Sequence, residues 1–144
     1  MNLKIKEIHI GEMLLKAVTE RGLYEESICK FLRCSRLEVS DMYTNRNIDS
    51  ELLLKWSKLL EYDFFRIYSQ HLILYSPQAN VITKNNRYPS LPKFRKNIYT
   101  HEVIEFLLEL INTGEKTIDQ VISDYGVPRT TIYRWRNKYL LKNK

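Results

Sequence analysis

A chain of 144 residues, 44% of them hydrophobic, can build one ordinary domain or two very small ones. Its apolar runs are too short for a membrane span or a signal peptide, and its two cysteines and three histidines lack metal-ligand spacing. The net charge of +6 is uneven: residues 1–68 balance 11 basic against 11 acidic side chains, whereas residues 69–100 and 128–144 contain no acid, which favours a polyanionic partner.

The first three predicted helices follow from apolar residues at helical spacing. A stripe at i, i+4, i+7 and i+8 begins at Ile10, and Gly22 can end that helix. A second helix is predicted to begin near Glu25, and a third after the candidate N-cap Ser35. The predicted inward residues are Ile10, Leu14, Ala17, Val18, Ile28, Phe31, Leu32, Val39 and Met42.

Two further elements complete a predicted five-helix domain over residues 1–76. Asp49 or Ser50 is expected to cap a fourth helix, and a short fifth element around residues 64–68 is expected to close the core. The predicted apolar face of the fourth helix is Leu52, Trp56, Leu59 and Leu60. The segment 72–75 is too apolar for a free linker, so we expect it either to pack on this domain or to form a self-association surface.

Residues 77–98 are predicted to be a basic linker, since no helical period continues after residue 68 and three of the four prolines lie here. A three-helix domain is then predicted over residues 99–144. Thr100 and Thr117 are its candidate N-caps, Gly126 is the candidate left-handed residue of a tight turn, and Pro128 begins the last helix. Its predicted inward residues are Val103, Ile104, Leu107, Leu108, Ile111, Ile118, Val121, Ile122, Tyr125, Val127, Ile132, Trp135 and Tyr139.

Two helices joined by a glycine turn, the second basic on its outer face, are typical of a helix-turn-helix that inserts its second helix into the major groove. Residues at the start of that helix lie nearest the base edges, so we expect base contacts from Arg129, Thr130 and Tyr133, with Arg129 suited to guanine. The basic residues that follow suit phosphates. The full predicted set is Arg129, Thr130, Thr131, Tyr133, Arg134, Arg136, Asn137 and Lys138. This prediction depends on an outer face that is cationic and free of acids.

One stretch of this C-terminal part resembles a known family. It reads Gly126-Val127-Pro128-Arg129-Thr130-Thr131-Ile132-Tyr133-Arg134-Trp135, preceded by Thr117-Ile118. The stretch is similar to the N-terminal helix-turn-helix of insertion-sequence transposases, which typically show Gly-Val-Ser-Arg-Ser-Thr-Leu-Tyr-Arg-Trp, and the resemblance covers roughly residues 95–140. Pro128 replaces the family's capping serine, and Ile122 stands where a small alanine is common. The resemblance implies a DNA-reading module alone, because no room remains for a catalytic domain with three metal-binding carboxylates. We therefore predict no enzyme activity and no catalytic residue.

The first domain resembles, more distantly, the phage-repressor (Cro/Xre-like) helix-turn-helix of five helices. Residues 25–32 correspond to its second helix and residues 35–42 to its recognition helix. Arg33 stands where a turn glycine is usual, and Glu38 and Asp41 place acids on the outer face of the recognition helix, where phosphates would repel them. The alternatives for this domain are DNA contact and dimerisation or partner docking. Its secondary DNA-binding candidates, with those of the linker, are Arg36, Leu37, Ser40, Asn45, Arg46, Lys84, Arg87, Lys93, Arg95 and Lys96.

The sequence therefore predicts an all-α protein with two small helix-turn-helix domains joined by a basic linker. We expect a bacterial-type, cytoplasmic, nucleoid-associated protein that binds double-stranded DNA, most simply a transcriptional regulator, with a homodimer contact through the N-terminal domain. No cofactor, metal, membrane or small-molecule substrate is predicted. The alternative is a non-catalytic accessory subunit of a transposition or toxin–antitoxin-like system. RNA binding is disfavoured, since the chain has neither an aromatic RNA-binding strand nor a Gly-X-X-Gly loop.

Overall fold

The computed structural model describes residues 6–76, 90–92 and 97–140, and within these ranges every regular element is an α-helix. The all-α prediction is confirmed. The helices are α1 (Ile10–Arg21), α2 (Glu25–Leu32), α3 (Arg36–Thr44), α4 (Ser50–Leu60), α5 (Phe65–Tyr75), α6 (His101–Asn112), α7 (Ile118–Tyr125) and α8 (Arg129–Leu140). No helix in the described ranges combines the length and apolarity needed to cross a bilayer.

The chain divides into two compact units, here called the N-terminal unit (Glu7–Tyr68) and the C-terminal unit (from Ser69 onward). This division falls inside α5, whereas the sequence predicted a boundary after residue 76. The prediction that helical structure stops at residue 68 is wrong, because α5 continues to Tyr75. The segment 72–75 was expected to pack on the first domain or to self-associate, yet Leu74 belongs to the core of the C-terminal unit.

The core of the N-terminal unit is formed by nine buried apolar side chains. They are Ile10, Leu14, Ile28, Leu32, Val39, Leu53, Trp56, Leu60 and Phe64. On α4 the buried positions are Leu53, Trp56 and Leu60, so the predicted Leu52 and Leu59 lie at the border of the core. Phe31 was predicted to face inward and is 49% exposed. Helical spacing alone does not show which of these apolar residues are buried. When the apolar stripe of a helix is wider than its contact with the core, one edge of the stripe stays exposed to solvent.

Three helix ends of the N-terminal unit have the capping residues that the sequence predicted. Gly22 ends α1 in the left-handed conformation (φ 63°), and Asp49 accepts hydrogen bonds from the first amides of α4. Ser35 and Glu38 form a capping box: the Ser35 hydroxyl accepts from the Glu38 amide (3.2 Å), and the Glu38 carboxylate accepts from the Ser35 amide (2.7 Å). The hydrogen bond from the Ser35 amide lowers the pKa of Glu38 from its ordinary value.

Arg33 occupies a position that favours glycine. It lies between α2 and α3 with φ 57° and ψ 47°, and the amide of Cys34 donates to the carbonyl of Cys29 (3.2 Å) across it. The left-handed geometry that glycine would supply is therefore retained with an arginine, at a cost of about 1 kcal/mol.

We expect Arg33→Gly to stabilise the N-terminal unit by about 1 kcal/mol, because glycine removes the clash between Cβ and backbone. Arg33→Ala is the matched control: it removes the charge and keeps the strained Cβ, so the free energy of unfolding should stay near that of the parent. Urea unfolding followed by Trp56 fluorescence in a Trp135→Phe background measures both. Equal stability of the glycine and alanine variants would contradict this explanation.

The first turn of α1 lies directly against the end of α3. The amide of Ile10 donates to the carbonyl of Arg46 (3.2 Å), and the amide of Gly11 donates to the carbonyl of Asn45 (3.1 Å). A Cβ atom on Gly11 would lie 2.4 Å from the carbonyl oxygens of both Met42 and Tyr43. Only a residue without a side chain therefore permits this approach of two backbones.

The core of the C-terminal unit combines α6, α7 and α8 with the end of α5. Its buried residues are Leu74, Val103, Ile104, Leu107, Leu108, Leu110, Val121, Val127, Ile132 and Trp135. Leu110 was not predicted, and Ile111 is half-buried. Tyr99 packs on Trp135 edge-to-face, with ring centroids 4.9 Å apart. This packing gives α8 a fixed inner face.

Gln70 of α5 is a polar residue that is buried in this unit, at 1% exposure. Its side-chain NH₂ donates to the carbonyl of Ile98 (2.5 Å), and its side-chain oxygen accepts from the amide of Thr100 (3.0 Å). One amide therefore satisfies two backbone groups and holds the segment leading into α6 against α5. The predicted N-cap Thr100 immediately precedes α6, but its hydroxyl accepts no hydrogen bond from the first turn of that helix.

We expect Gln70→Leu to lower the free energy of unfolding of the C-terminal unit by about 2 kcal/mol, because the Ile98 carbonyl and the Thr100 amide lose their partners. Leu72→Ala, at an exposed position of the same helix, should change it by less than about 0.5 kcal/mol. Urea unfolding followed by Trp135 fluorescence in a Trp56→Phe background reports both variants. Equal effects would show that the Gln70 hydrogen bonds carry no stability.

Candidate nucleic-acid interface

The helix α8 has two distinct faces. Ile132 and Trp135 lie on the inner face and pack with Val121 of α7 and Val127 of the preceding turn. The outer face carries residues spaced at i, i+1, i+4, i+5, i+8 and i+9. These residues are Arg129, Thr130, Tyr133, Arg134, Asn137 and Lys138, all exposed. Together they line one shallow, open concavity, here called the α8 face.

The start of α8 is fixed by the turn that precedes it. Gly126 ends α7 with φ 65°, and the side chain of Val127 is fully buried. The carbonyl of Pro128 accepts from the amides of Thr131 (2.9 Å) and Ile132 (3.2 Å). Pro128 therefore lies at the end of the turn, where its carbonyl begins the helix without a capping hydroxyl, as the exchange of serine for proline implied.

A capping box holds the other end of α7. The Thr117 hydroxyl accepts from the Gln120 amide (3.2 Å), and the Gln120 side chain accepts from the Thr117 amide (2.8 Å). The predicted N-cap at Thr117 is confirmed. With both ends of α7 fixed and Val121 buried, the helix pair α7–α8 is held by its own caps and core, which orients the α8 face.

Arg129 was predicted to be free for a base contact, yet it is paired within the chain. Its guanidinium donates to the carboxylate of Asp119, in the first turn of α7. This hydrogen bond is the main reason that the pKa of Arg129 is raised, and the negative charge of Asp119 adds to it. The expectation of a face free of acids is therefore wrong at its N-terminal end, because α7 brings a carboxylate to it.

Two of the predicted DNA-binding residues do not lie on the α8 face. Thr131 is half-buried, and Arg136 is half-buried beside the inner side of the helix. The Nε atom of Arg136 is buried, with no hydrogen-bond partner among the described residues. The prediction took Arg136 as a phosphate ligand from its charge alone, whereas its helical position, one turn after Ile132, directs it toward the core.

Among the secondary candidates of the N-terminal unit, the basic residue at the start of α3 is engaged in ion pairs, and two others are exposed. Arg36 pairs with Glu25 (3.7 Å) and Glu26 (3.2 Å) of α2. Leu37 is 79% exposed, and Ser40 is exposed on the same helix. Acids from α2 thus neutralise the basic residue at the start of α3.

Asn45 and Arg46 serve the packing of α1. Their carbonyls accept from the amides of Gly11 and Ile10, and the Arg46 Nε donates to the carbonyl of Ile8 (3.2 Å). This leaves α3 without a cationic surface like that of α8. The linker candidates Lys84, Arg87, Lys93, Arg95 and Lys96 lie outside the described residues.

Asp119 is the residue of this site that sequence reasoning missed. The sequence shows that Asp119 is an acid in the first turn of α7. It does not show that this acid pairs with Arg129 of α8, ten residues later. Comparison of the chain with protein-family models, with curated proteins and with solved structures gave no match. Function is therefore inferred from the exposure, charge and contacts of the residues themselves.

Proposed function

We propose that this chain is a sequence-specific DNA-binding protein, most simply a transcriptional regulator, whose helix α8 enters the major groove. The observation that carries the proposal is the α8 face: six exposed polar and basic residues on one side of a helix whose other side is fixed in a core. An α-helix fits the major groove of B-DNA, and a rigid helix pair presents it at a constant angle.

The order of residues along α8 suits the two kinds of DNA contact. Thr130 and Tyr133 lie in its first turns, where recognition helices approach base edges. Arg134 and Lys138 lie farther along and suit phosphates, which position a protein on the duplex and dominate its affinity. Asn137 lies between them and has the donor and acceptor pair that matches adenine. The α8 face therefore combines base readout with backbone anchoring.

The charge distribution of the chain supports the same assignment. Residues 7–68 carry 9 basic against 11 acidic side chains, and residues 128–144 carry 6 basic side chains and no acid. Association with a polyanion is governed by local positive charge. The C-terminal unit is therefore the part of the chain that we assign to DNA.

The proposal is tested by the salt dependence of binding to a duplex of random sequence. We expect Arg134→Ala to weaken binding and to lower the slope of log affinity against log salt by about 1, since one phosphate contact is lost. Lys58→Ala, an exposed basic residue of α4, is the matched control and should leave both quantities unchanged. If Arg134→Ala behaves like the control, the α8 face is not a phosphate-binding surface.

A second candidate is an accessory subunit of a transposition or toxin–antitoxin-like system, in which the N-terminal unit binds a protein. Exposed apolar side chains of the N-terminal unit favour it: Leu37 of α3 is 79% exposed, and Tyr24, which precedes α2, is 81% exposed. Apolar residues among acids suit a protein surface better than a phosphate backbone. The two candidates agree on α8 and differ in whether the N-terminal unit meets a second macromolecule.

A further inference from the structure

The pair formed by Asp119 and Arg129 joins the first turns of α7 and α8. The Asp119 carboxylate accepts a hydrogen bond from a terminal nitrogen of the Arg129 guanidinium. Both charged side chains stay accessible, with 56% of Arg129 and 74% of Asp119 exposed. Arg129 is thus held by the Asp119 carboxylate while it remains open to solvent.

An ion pair this exposed contributes little to folding stability, because water screens it and two side chains must be ordered. Its cost to DNA binding is larger, since the carboxylate of Asp119 lies beside the first residue of α8 and repels phosphates near it. Asp119 therefore adds little to folding stability and weakens the attraction to DNA. Its effect on the orientation of Arg129 is a role that remains.

We infer that Asp119 is a positioning residue that fixes the guanidinium of Arg129 for one guanine and so sharpens base preference at that site. This inference rests on the proposed DNA-binding function. Recognition of guanine uses two parallel N–H groups aimed at O6 and N7, and a guanidinium has five N–H donors in a rigid plane. Asp119 engages one terminal nitrogen of this plane and leaves further donors for a base.

A held arginine changes the balance between specific and non-specific binding. A free arginine loses rotamer freedom when it binds a base, whereas a held one has already lost it. When the chain lies on DNA so that Arg129 meets a phosphate instead of guanine, the Asp119 carboxylate repels that phosphate. Binding in such registers is therefore weaker, which increases specificity. Removal of Asp119 should therefore increase affinity for random DNA and decrease preference for the chosen base.

The helix α7 offers a matched control in Asp124. This acid pairs with Lys116 (2.6 Å), and the hydrogen bond between them raises the pKa of Lys116. Asp124→Ala and Asp119→Ala each remove one carboxylate from α7 and release one cation. Only Asp119 contacts a residue of the α8 face, so the two variants differ in the feature under test.

The experiment selects bound sequences from random duplex DNA with the full chain and with each variant, then measures affinity for the selected site and its single-base changes. We expect the wild type to prefer guanine at one position, and Asp119→Ala to reduce that preference about two- to twelvefold, the range expected when one side chain is no longer pre-ordered. Asp124→Ala should keep the wild-type preference. Both variants should bind random duplex at least as tightly as the wild type.

A double-mutant cycle separates positioning from a structural effect. In an Arg129→Ala background, Asp119→Ala should leave base preference unchanged, because its effect acts through the guanidinium. An Asp119→Ala preference equal to that of the wild type, or a full effect without Arg129, would overturn the inference while the DNA-binding proposal stands. Failure of the wild type to enrich any sequence would overturn the proposed function, and this inference with it.

Discussion

Replacement of Gly11 by alanine is expected to destabilise the N-terminal unit by about 3 kcal/mol or more. The new Cβ would lie 2.4 Å from the carbonyl oxygens of Met42 and Tyr43 and 2.6 Å from that of Asn45. Backbone oxygens cannot rotate away as the end of a flexible side chain can. Relief would require α1 to move from α3, with loss of the hydrogen bonds from the Ile10 and Gly11 amides.

Gly22→Ala is the matched control for this substitution. Gly22 has φ 63° and open space around the added Cβ, so alanine there meets only the backbone strain of the left-handed region, about 1 kcal/mol. Urea unfolding followed by Trp56 fluorescence in a Trp135→Phe background compares the two. A Gly11→Ala variant no less stable than Gly22→Ala would mean that α1 and α3 do not approach as closely as described.

Reversal of two charges on the α8 face is expected to abolish most DNA binding. Arg134→Glu with Lys138→Glu replaces two cations by two anions at positions assigned to phosphates, so attraction becomes repulsion at both. We expect affinity for duplex DNA to fall at least about 100-fold at moderate salt, because phosphate contacts supply most of the binding free energy.

The control for charge reversal has the same net charge as the Arg134→Glu, Lys138→Glu variant. Lys55→Glu with Lys58→Glu makes the identical change on α4 of the N-terminal unit, where both lysines are exposed. Fluorescence anisotropy with a labelled duplex should show a small loss for this control. Equal losses would indicate that total charge governs binding and that the α8 face has no special role.

Local signals in the sequence were sufficient for the helix starts and the tight turn. Ser35 and Thr117 each have a Glu or Gln three residues later, and this spacing alone predicts a capping box. Gly126 lies between two helical patterns, three residues before Arg129 of α8, and this position predicts the left-handed turn. These features depend on residues within one or two helical turns, so they do not depend on the tertiary packing around them.

Features that depend on distant partners were not predictable from spacing. The second half of α5 is helical although Gln70 and His71 interrupt its apolar pattern; Gln70 is buried because two backbone groups some thirty residues later need a partner. The capture of Arg129 by Asp119 likewise requires the positions of two helices. The direction of Arg136 could have been deduced from its register with Ile132, but its charge suggested solvent.

The most direct test of the DNA-binding proposal is a map of backbone amide chemical shifts of the full chain as duplex DNA is added. We expect the largest changes to cluster on the α8 face, at residues 129, 130, 133, 134, 137 and 138, with small changes over α3. Changes centred on α3, or none at α8 when the chain is saturated with DNA, would contradict it.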